Sequence, residues 1–332
     1  ADSNLDGNAD WSYNVFGATN VNYVTLSNFD FLGGSVSVAV ELTQPVTAYD
    51  YDGDGRADIA VRRADRQIQY IANSGNGETQ RLTFGTQSAD IPVSGDFDGD
   101  GITDIAVRRP STHYWYVQNS SGVDRLTGFA DGISRLRFGT QSGDIPIPAD
   151  YDGDGITDIA VRRPANQMWY IKNSSGVDSL TGFSDGITRL NFGKQSEDIP
   201  VPADYDGDGK ADVAVRRASN QFFYILNSSD GELQRINFGK QAEDVPIVAD
   251  YDGDGKADVA VRRPSTQFQY VLRSSDSLIE RIQFGRQATD VPLAAPVLQR
   301  MQMVAEANAV SEQVEKEQVE WWDMDLIAVE PE

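Results

Sequence analysis

The chemically most distinctive groups in this sequence are carboxylates that recur in short, nearly identical clusters. Five segments share the pattern D-x-D-x-D-G-x-x-D, starting at Asp50, Asp96, Asp150, Asp204 and Asp250. Side-chain oxygens stand at positions one, three, five and nine, and the glycine at position six permits a sharp turn. Oxygen ligands crowded around one turn suit a hard divalent cation, and calcium in particular. Four carboxylates within nine residues repel one another without a cation, so the alternative of plain Asp-Gly turns explains the recurrence poorly.

Each cluster is expected to bind calcium through four side chains and the backbone carbonyl of position seven. The expected ligands are Asp50, Asp52, Asp54, the Arg56 carbonyl and Asp58; Asp96, Asp98, Asp100, the Ile102 carbonyl and Asp104; Asp150, Asp152, Asp154, the Ile156 carbonyl and Asp158; Asp204, Asp206, Asp208, the Lys210 carbonyl and Asp212; and Asp250, Asp252, Asp254, the Lys256 carbonyl and Asp258. A weaker copy, DSNLDGNAD, adds Asp2, Asn4, Asp6, the Asn8 carbonyl and Asp10. We therefore expect the protein to bind about six calcium ions. Their role is expected to be mainly structural, because an ion that binds only to the folded state stabilises that state.

The segments around these loops repeat as well, with starts spaced 46, 54, 54 and 46 residues apart. Each unit continues with a run of Val and Ile ending in Arg-Arg, an aromatic run, a Phe-Gly pair, and an Asp-Ile/Val-Pro step. These short runs between turn residues predict four strands per unit. Position twelve, where an EF-hand carries Glu, is a valine within one of these predicted strands, so the loops are flanked by strands rather than helices.

A period of this length with four strands per unit predicts an all-β fold, a β-propeller with one blade per repeat. Counting the weak first copy, the repeats start near residues 2, 50, 96, 150, 204 and 250, which predicts six blades, with seven as the alternative. The first copy lacks a strand before its loop, and the last copy ends in DVPLAAP with no loop after it. We therefore expect residues 290–296 to complete the blade begun by residues 2–43, so that N- and C-terminal strands close the ring.

The loops, the Phe-Gly pairs and the period together resemble FG-GAP or VCBS-type repeats, and more distantly the integrin α-chain propeller and fungal propeller lectins. The resemblance covers residues 2–296 and implies a calcium-binding propeller. It leaves function open, because the family includes adhesins, lectins, scaffolds and domains attached to polysaccharide-degrading enzymes. The family usually has seven blades.

Composition excludes several classes of function. The chain has no Cys and one His, His113, which excludes thiolate sites and leaves a Ser-His-Asp triad only that residue. A formal net charge of −23 argues against nucleic acid as a partner. No apolar run is long enough for a transmembrane helix. The start at Ala1, without a signal segment, is typical of a processed or trimmed chain, and we expect an extracellular location, secreted or at the cell surface.

Candidate ligand-binding residues lie in two repeats that carry an eight-residue insertion. Aromatic faces stack on sugars, so the candidates are Trp115, Trp169, Phe129 and Phe183, with packing between blades as the alternative. The Arg pairs that end strand two are interpreted as salt bridges between neighbouring blades or as a ring that binds carboxylated ligands. The Asn-Ser-Ser sequons at Asn119, Asn173 and Asn227 are interpreted as turn chemistry.

The domain organisation is a propeller over residues 1–296 followed by a tail over residues 297–332, which is rich in Ala, Glu and Gln and predicted as a helix. Its last residues, WWDMDLIAVEPE, are predicted to dock on this propeller or on another subunit, and homo-oligomers or larger assemblies are possible outcomes. Three functions follow as hypotheses. They are a non-catalytic binding or adhesion module for a glycan or an extracellular protein, a structural subunit joined through the tail, and a carbohydrate-active enzyme such as a polysaccharide lyase. We expect that the protein is not an enzyme. General acid-base catalysis needs a titratable pair, and nearly every distinctive Asp is already assigned to calcium.

Overall fold

The computed structural model describes residues 48–63, 68–87, 89–124, 127–141, 143–178, 180–241, 243–283 and 290–292. All of them belong to the second of two units into which the chain divides, Pro45–Glu332. The expected loop at residues 2–10, the strand expected to follow it and the tail at residues 297–332 lie outside the described residues. None of the described residues forms a helix that could span a membrane.

The described residues form twenty strands in five four-stranded sheets, which are the blades of a β-propeller and are named I to V in chain order. Blade I contains β1 (Ile59–Arg63), β2 (Ile68–Ala72), β3 (Thr79–Thr83) and β20 (Asp290–Pro292); blade II contains β4 (Ile91–Gly95), β5 (Asp104–Arg109), β6 (Tyr114–Gln118) and β7 (Ile133–Arg137); blade III contains β8 (Ile145–Pro146), β9 (Ile159–Arg163), β10 (Met168–Lys172) and β11 (Ile187–Asn191); blade IV contains β12 (Ile199–Pro200), β13 (Val213–Arg217), β14 (Phe222–Leu226) and β15 (Leu233–Asn237); and blade V contains β16 (Val245–Pro246), β17 (Val259–Arg263), β18 (Phe268–Leu272) and β19 (Ile279–Gln283). The prediction of an all-β propeller with four strands per repeat is confirmed.

The count of six blades is wrong for the described residues, and the position of β20 explains why. In blade III, Ile145 pairs with Arg162 and Pro146 with Val161. In blade I, the equivalent partners of Arg62 and Val61 are Val291 and Pro292 of β20. The C-terminal strand therefore completes the blade that follows the loop at Asp50. It does not complete the blade that was expected to begin at residue 2.

Backbone hydrogen bonds also join the five blades into a closed ring. They connect the five D-x-D-x-D-G-x-x-D segments, which we call the Asp loops. The N–H of position eight in each loop donates to the carbonyl of position one in the preceding loop. The bonds are Thr103 to Asp50 (2.7 Å), Thr157 to Asp96 (2.6 Å), Ala211 to Asp150 (2.6 Å), Ala257 to Asp204 (2.6 Å) and Ala57 to Asp250 (2.7 Å). The last bond joins blade V to blade I, so the described blades form a closed circle.

The core lies between the blades, since the second and third strands of each sheet pack against a neighbouring sheet. In β6, Trp115 and Val117 are fully buried while Tyr114 and Gln118 are exposed, which is the period-two alternation expected of a strand with one buried face. In β9, Ile159 to Arg162 are all buried, as expected for a strand enclosed on both faces.

The Arg pairs have two separate structural roles. The first Arg of each pair is buried. In blade II, Arg108 donates to the Asp144 carbonyl of blade III at 3.0 Å and to the Gly139 carbonyl at 3.0 Å. The second, Arg109, forms a salt bridge of 2.8 Å with Asp90 of its own blade. The expected salt bridges between blades are therefore salt bridges within blades, and buried Arg-to-carbonyl bonds connect one blade to the next.

Candidate metal centres

The first carboxylate of each Asp loop organises the loop backbone. In blade I, Asp50 Oδ1 accepts a hydrogen bond from Gly53 N at 2.7 Å, and Asp50 Oδ2 accepts one from Gly55 N at 2.8 Å. Gly53 and Gly55 have φ of 77° and 85°, a conformation that L side chains rarely adopt. The alternation of Asp and Gly therefore lets the chain turn around the first carboxylate.

The ninth carboxylate connects the Asp loop to the hairpin between the third and fourth strands of the blade. Strands are counted in the order in which they pair, so β20 is the first strand of blade I and this hairpin joins β2 to β3. Asp58 Oδ2 accepts from Tyr51 N at 2.8 Å, and Asp58 Oδ1 accepts from Ser74 N at 2.7 Å. The same two bonds recur in the other four blades, as in the bond of 2.6 Å from Ser120 N to Asp104 Oδ1 in blade II. The Asp loops and these hairpins thus lie at the same end of the blades, as strand parity predicts.

Three carboxylates in each described loop converge so that one oxygen from each lies within 4.8 Å of the others. The groups are Asp50, Asp52 and Asp58; Asp96, Asp98 and Asp104; Asp150, Asp152 and Asp158; Asp204, Asp206 and Asp212; and Asp250, Asp252 and Asp254. Four loops thus bring together positions one, three and nine, and the fifth brings together positions one, three and five. The structure thereby collects most of the expected side-chain ligands of these five loops. The expected loop with Asp2, Asn4, Asp6, Asn8 and Asp10 lies outside the described residues.

Position five is outside the converging group in four loops, and in all five described loops a serine from the neighbouring hairpin donates a hydrogen bond to it. Ser174 Oγ donates to the two Asp154 oxygens at 2.9 Å each. The next serine, Ser175, donates to Asp152 at 2.5 Å. Sequence reasoning missed this role of the serines, although the signal was present in the recurring Asn-Ser-Ser segment at the third-to-fourth strand hairpin.

Burial makes these carboxylates hard to ionise without a cation. Burial, followed by repulsion from Asp98, raises the pKa of Asp104 to about 7 despite hydrogen bonds from Ser120 and Phe97. Burial in the same way raises the pKa of Asp158 to about 7 and that of Asp58 to about 6. A divalent cation would remove the repulsion and stabilise the charged forms.

The residues present fit a hard divalent cation. The donors are carboxylate oxygens, with no sulfur and no imidazole in the five groups. Asp52 Oδ1 is buried and has no hydrogen-bond partner among the described residues, so it is free to bind a cation. The position-seven carbonyls belong to the same loops, and that of Ile156 lies 3.5 Å from Ser174 Oγ. Such a donor set suits calcium better than zinc.

Two of the four candidate ligand-binding residues are buried, which rules out the proposed stacking on sugars. Trp115 and Trp169 have 0% exposure, and their indole N–H groups donate to the Phe138 and Phe192 carbonyls at 3.1 and 3.0 Å. Their size and apolar character serve packing, which was the alternative reading. Phe129, by contrast, is 53% exposed, and Phe183 is 50% exposed.

Phe129 and Phe183 occupy equivalent positions on the inserted hairpins of blades II and III. The Arg135 guanidinium lies 5.0 Å from the centre of the Phe129 ring and forms a salt bridge with Asp131. Arg189 and Asp185 repeat this arrangement at Phe183, with 4.9 Å to the ring centre. Each insertion thus exposes an aromatic ring beside an ion pair, at the end of the blades where the Asp loops lie. We call these two groups the aromatic platforms.

The remaining sequence candidates are structural. The Asn119 and Asn173 amides donate to the Val123 and Val177 carbonyls at 2.7 Å, as turn chemistry at these two sequons requires, and Asn227 is buried. His113 stands at a hairpin position with φ of 61°, and its Nδ1 is buried without a hydrogen-bond partner in the described part of the chain. The orienting carboxylate that a Ser-His-Asp triad needs at this nitrogen is therefore lacking there.

The comparison with family models agrees with this geometry. The model of the FG-GAP-like repeat matches residues 50–107, 96–161, 150–215 and 204–261, which together exceed half of the chain. The chain belongs to the FG-GAP-like repeat family. Each match of the FG-GAP-like repeat begins at the first Asp of one loop and ends on the strand that follows the next loop. No curated protein matches the sequence.

Solved structures similar to this FG-GAP-like repeat protein include a Bacteroides caccae protein of unknown function, with 10% identity, a TM-score of 0.38, and coverage of 68% of this chain and 73% of that chain. BBS1N, solved in complex with ARL6DN, has 12% identity, a TM-score of 0.32, and coverage of 73% and 69%. The dihydro-heme d1 dehydrogenase NirN has 13% identity, a TM-score of 0.32, and coverage of 71% and 55%. Likenesses of this size say nothing about function.

Proposed function

We propose that this FG-GAP-like repeat protein is an extracellular, calcium-stabilised β-propeller that acts as a non-catalytic binding module for a glycan or an extracellular protein. The observation that supports calcium is the convergence of buried carboxylates in all five described loops. The observation that supports a binding role is the pair of exposed aromatic platforms on the inserted hairpins.

Calcium is proposed as a structural ion rather than a catalytic one. The ninth carboxylate of each loop already holds the loop to the adjacent hairpin, and the eighth residue holds it to the preceding blade. An ion bound at this junction would stabilise contacts that exist only in the folded state, so the gain at each site would be about 2.7 kcal/mol at a hundredfold excess over the dissociation constant.

Calorimetric titration of the chelator-treated chain with calcium tests the metal part of the proposal. We expect several ions to bind and the melting temperature to rise with calcium concentration. Magnesium is the control, because it requires a tighter octahedral site and dehydrates reluctantly. If the titration gave no heat and calcium left the melting curve unchanged, this part of the proposal would be wrong.

A glycan array probed with the intact chain, in calcium and again in chelator, tests the binding part. We expect binding that requires calcium and is lost in a Phe129→Ala/Phe183→Ala variant. Leu278→Ala is the matched control, because Leu278 is also an exposed apolar residue, 59% exposed, on a third-to-fourth strand hairpin without the insertion. An array without any signal would exclude the glycans tested and leave an extracellular protein as the proposed ligand. Glycan binding that survives the double substitution would show that Phe129 and Phe183 are not the binding site.

A further inference from the structure

The side chain at position seven of each loop lies on the loop of the preceding blade. Its placement follows from the backbone, because the next residue donates its N–H to the preceding loop, as Ala211 N does to the Asp150 carbonyl at 2.6 Å. The side chain then covers the glycine at position four of that loop. A Cβ atom added to Gly153 would lie 2.8 Å from Lys210 Cγ, and one added to Gly53 would lie 3.4 Å from Ile102 Cγ1.

This arrangement recurs around the whole ring, but the covering side chain differs in charge. Isoleucines cover two loops, and cationic side chains cover three. Ile102 covers the loop at Asp50, Ile156 the loop at Asp96, Lys210 the loop at Asp150, Lys256 the loop at Asp204, and Arg56 the loop at Asp250. Position four stands between ligand positions three and five, so each covering side chain lies over the loop between two expected ligands; Lys210 Cε, for example, would lie 2.9 Å from a Cβ atom added to Gly153.

The burial of the first carboxylate follows the same division. Under the isoleucines, Asp50 is 2% exposed and Asp96 is 1% exposed. Under the cationic side chains, Asp250 is 8% exposed, and Asp150 and Asp204 are half-buried. A neighbouring positive charge repels a bound cation, so the charge of the covering side chain is the larger difference between the two groups of loops.

We propose that the position-seven side chain sets the cation affinity of the preceding loop and divides the five described loops into two classes. The loops at Asp50 and Asp96 bind calcium more tightly than the loops at Asp150, Asp204 and Asp250. This inference rests on the proposed binding of calcium. It gives the position-seven residue a second role: its carbonyl is an expected ligand of its own loop, and its side chain determines the affinity of the loop in the preceding blade.

Calorimetric titration of the intact chain with calcium tests the inference when two variants are compared with the parent. Lys210→Met/Lys256→Met removes both ammonium groups and keeps unbranched apolar stems over Gly153 and Gly207. Lys210→Arg/Lys256→Arg is the matched control that keeps the charge. We expect the loops at Asp150 and Asp204 to gain about three- to tenfold in affinity, because the removed ammonium groups lie over these loops but are partly exposed to water. The loop at Asp250, under Arg56, should keep the affinity that it has in the parent. The Arg variant should match the parent.

The reverse substitution gives a second, independent arm. Ile102→Lys/Ile156→Lys should lower the affinity of the tighter class by a similar factor, and melting curves in chelator check that each variant is folded. A parent that binds no calcium would contradict the proposed function itself. A parent that binds calcium at one class of equal sites, or a Met variant with the isotherm of the parent, would overturn only this inference.

Discussion

At the scale of single residues, each loop carboxylate combines a hydrogen-bonding role with a charge. Asp52 shows both. Its Oδ2 accepts a hydrogen bond from Gly75 N at 3.2 Å, while its Oδ1 is buried without a hydrogen-bond partner in the described residues. An asparagine can keep the first contact and still lose the charge. This separates the effect of the residue on folding from its effect on cation binding.

We expect Asp52→Asn to change stability in opposite directions with and without calcium. In chelator the variant should melt at the parent temperature or above it, because one member of a repelling group is gone. In calcium it should melt below the parent, because one ligand charge is lost. Melting curves in both conditions measure the two effects.

The control for this substitution is Asp131→Asn, which alters an exposed ion pair with Arg135 and should leave the melting temperature nearly unchanged in either condition. If Asp52→Asn lowered the melting temperature equally in calcium and in chelator, its carboxylate would have a hydrogen-bonding role only.

The raised pKa values predict an unusual dependence of stability on pH. Asp104 and Asp158 have folded pKa values of about 7, against an ordinary value of 3.8. Between these values the folded state without metal binds more protons than the unfolded state, so its stability falls as the pH rises. The carboxylates beside Arg109 and Arg217, Asp90 and Asp198, have lowered pKa values, so their contribution is lost only at more acidic pH.

Melting temperatures measured from pH 5 to pH 8 check this prediction. In chelator the melting temperature should decrease with rising pH. The increase produced by calcium should grow over the same range, because protons compete with calcium for the same oxygens. A calcium effect of equal size at pH 5 and pH 8 would contradict the assignment of these carboxylates to the cation.

At the scale of elements, the Phe-Gly pair is the joint between one blade and the next. Gly139 has φ of 73°, and its carbonyl accepts a hydrogen bond from Arg108 at 3.0 Å. A Cβ atom at this position would lie 2.8 Å from Val161 Cγ1 of the next blade. The glycine is therefore required both by its backbone conformation and by the close approach of two blades.

We expect Gly139→Ala to lower the free energy of unfolding by about 1–3 kcal/mol, because it adds backbone strain and a steric clash. Gly143→Ala is the control, since no heavy atom lies within 4 Å of the added Cβ and its φ is not in the left-handed region. Chemical denaturation of both variants measures the difference. Equal stabilities would show that the blade joint tolerates a side chain.

The sequence was sufficient to predict the strands and the loops because both follow from local patterns. Short runs of Val, Ile and aromatic residues between turn residues marked the strands, and the fixed Asp and Gly spacing marked the loops. The hairpin serines and the buried Trp115 could not be assigned in this way, because their roles depend on which segment faces them across the blade. Ser174 contacts Asp154, twenty residues away, and Trp115 contacts the carbonyl of Phe138.

At the scale of the whole molecule, ring closure determines the number of blades. β20 supplies the innermost strand of blade I, and Arg56 donates to the Tyr251 carbonyl at 3.0 Å across the same junction. Counting repeats could not establish this, because the weak copy at Asp2 has the same period as the others. The pairing of β20 with β1 depends on how the whole ring closes, and no local segment of the sequence determines it.

Truncation tests the closure. A chain ending at residue 296 keeps β20, and a chain ending at residue 283 lacks it. We expect the longer truncated chain to keep the cooperative melting of the parent and the shorter one to lose much of its stability, because blade I is left with an open strand edge. Equal melting curves for the two truncated chains would show that β20 does not hold the ring together.

We propose that the converging carboxylates of the Asp loops hold calcium. The most direct measurement is an anomalous difference map from crystals of the intact chain grown with calcium. We expect one peak in each of the five described loops, within bonding distance of oxygens from positions one and three. Loops without a peak, with their aspartates held by hydrogen bonds alone, would contradict it.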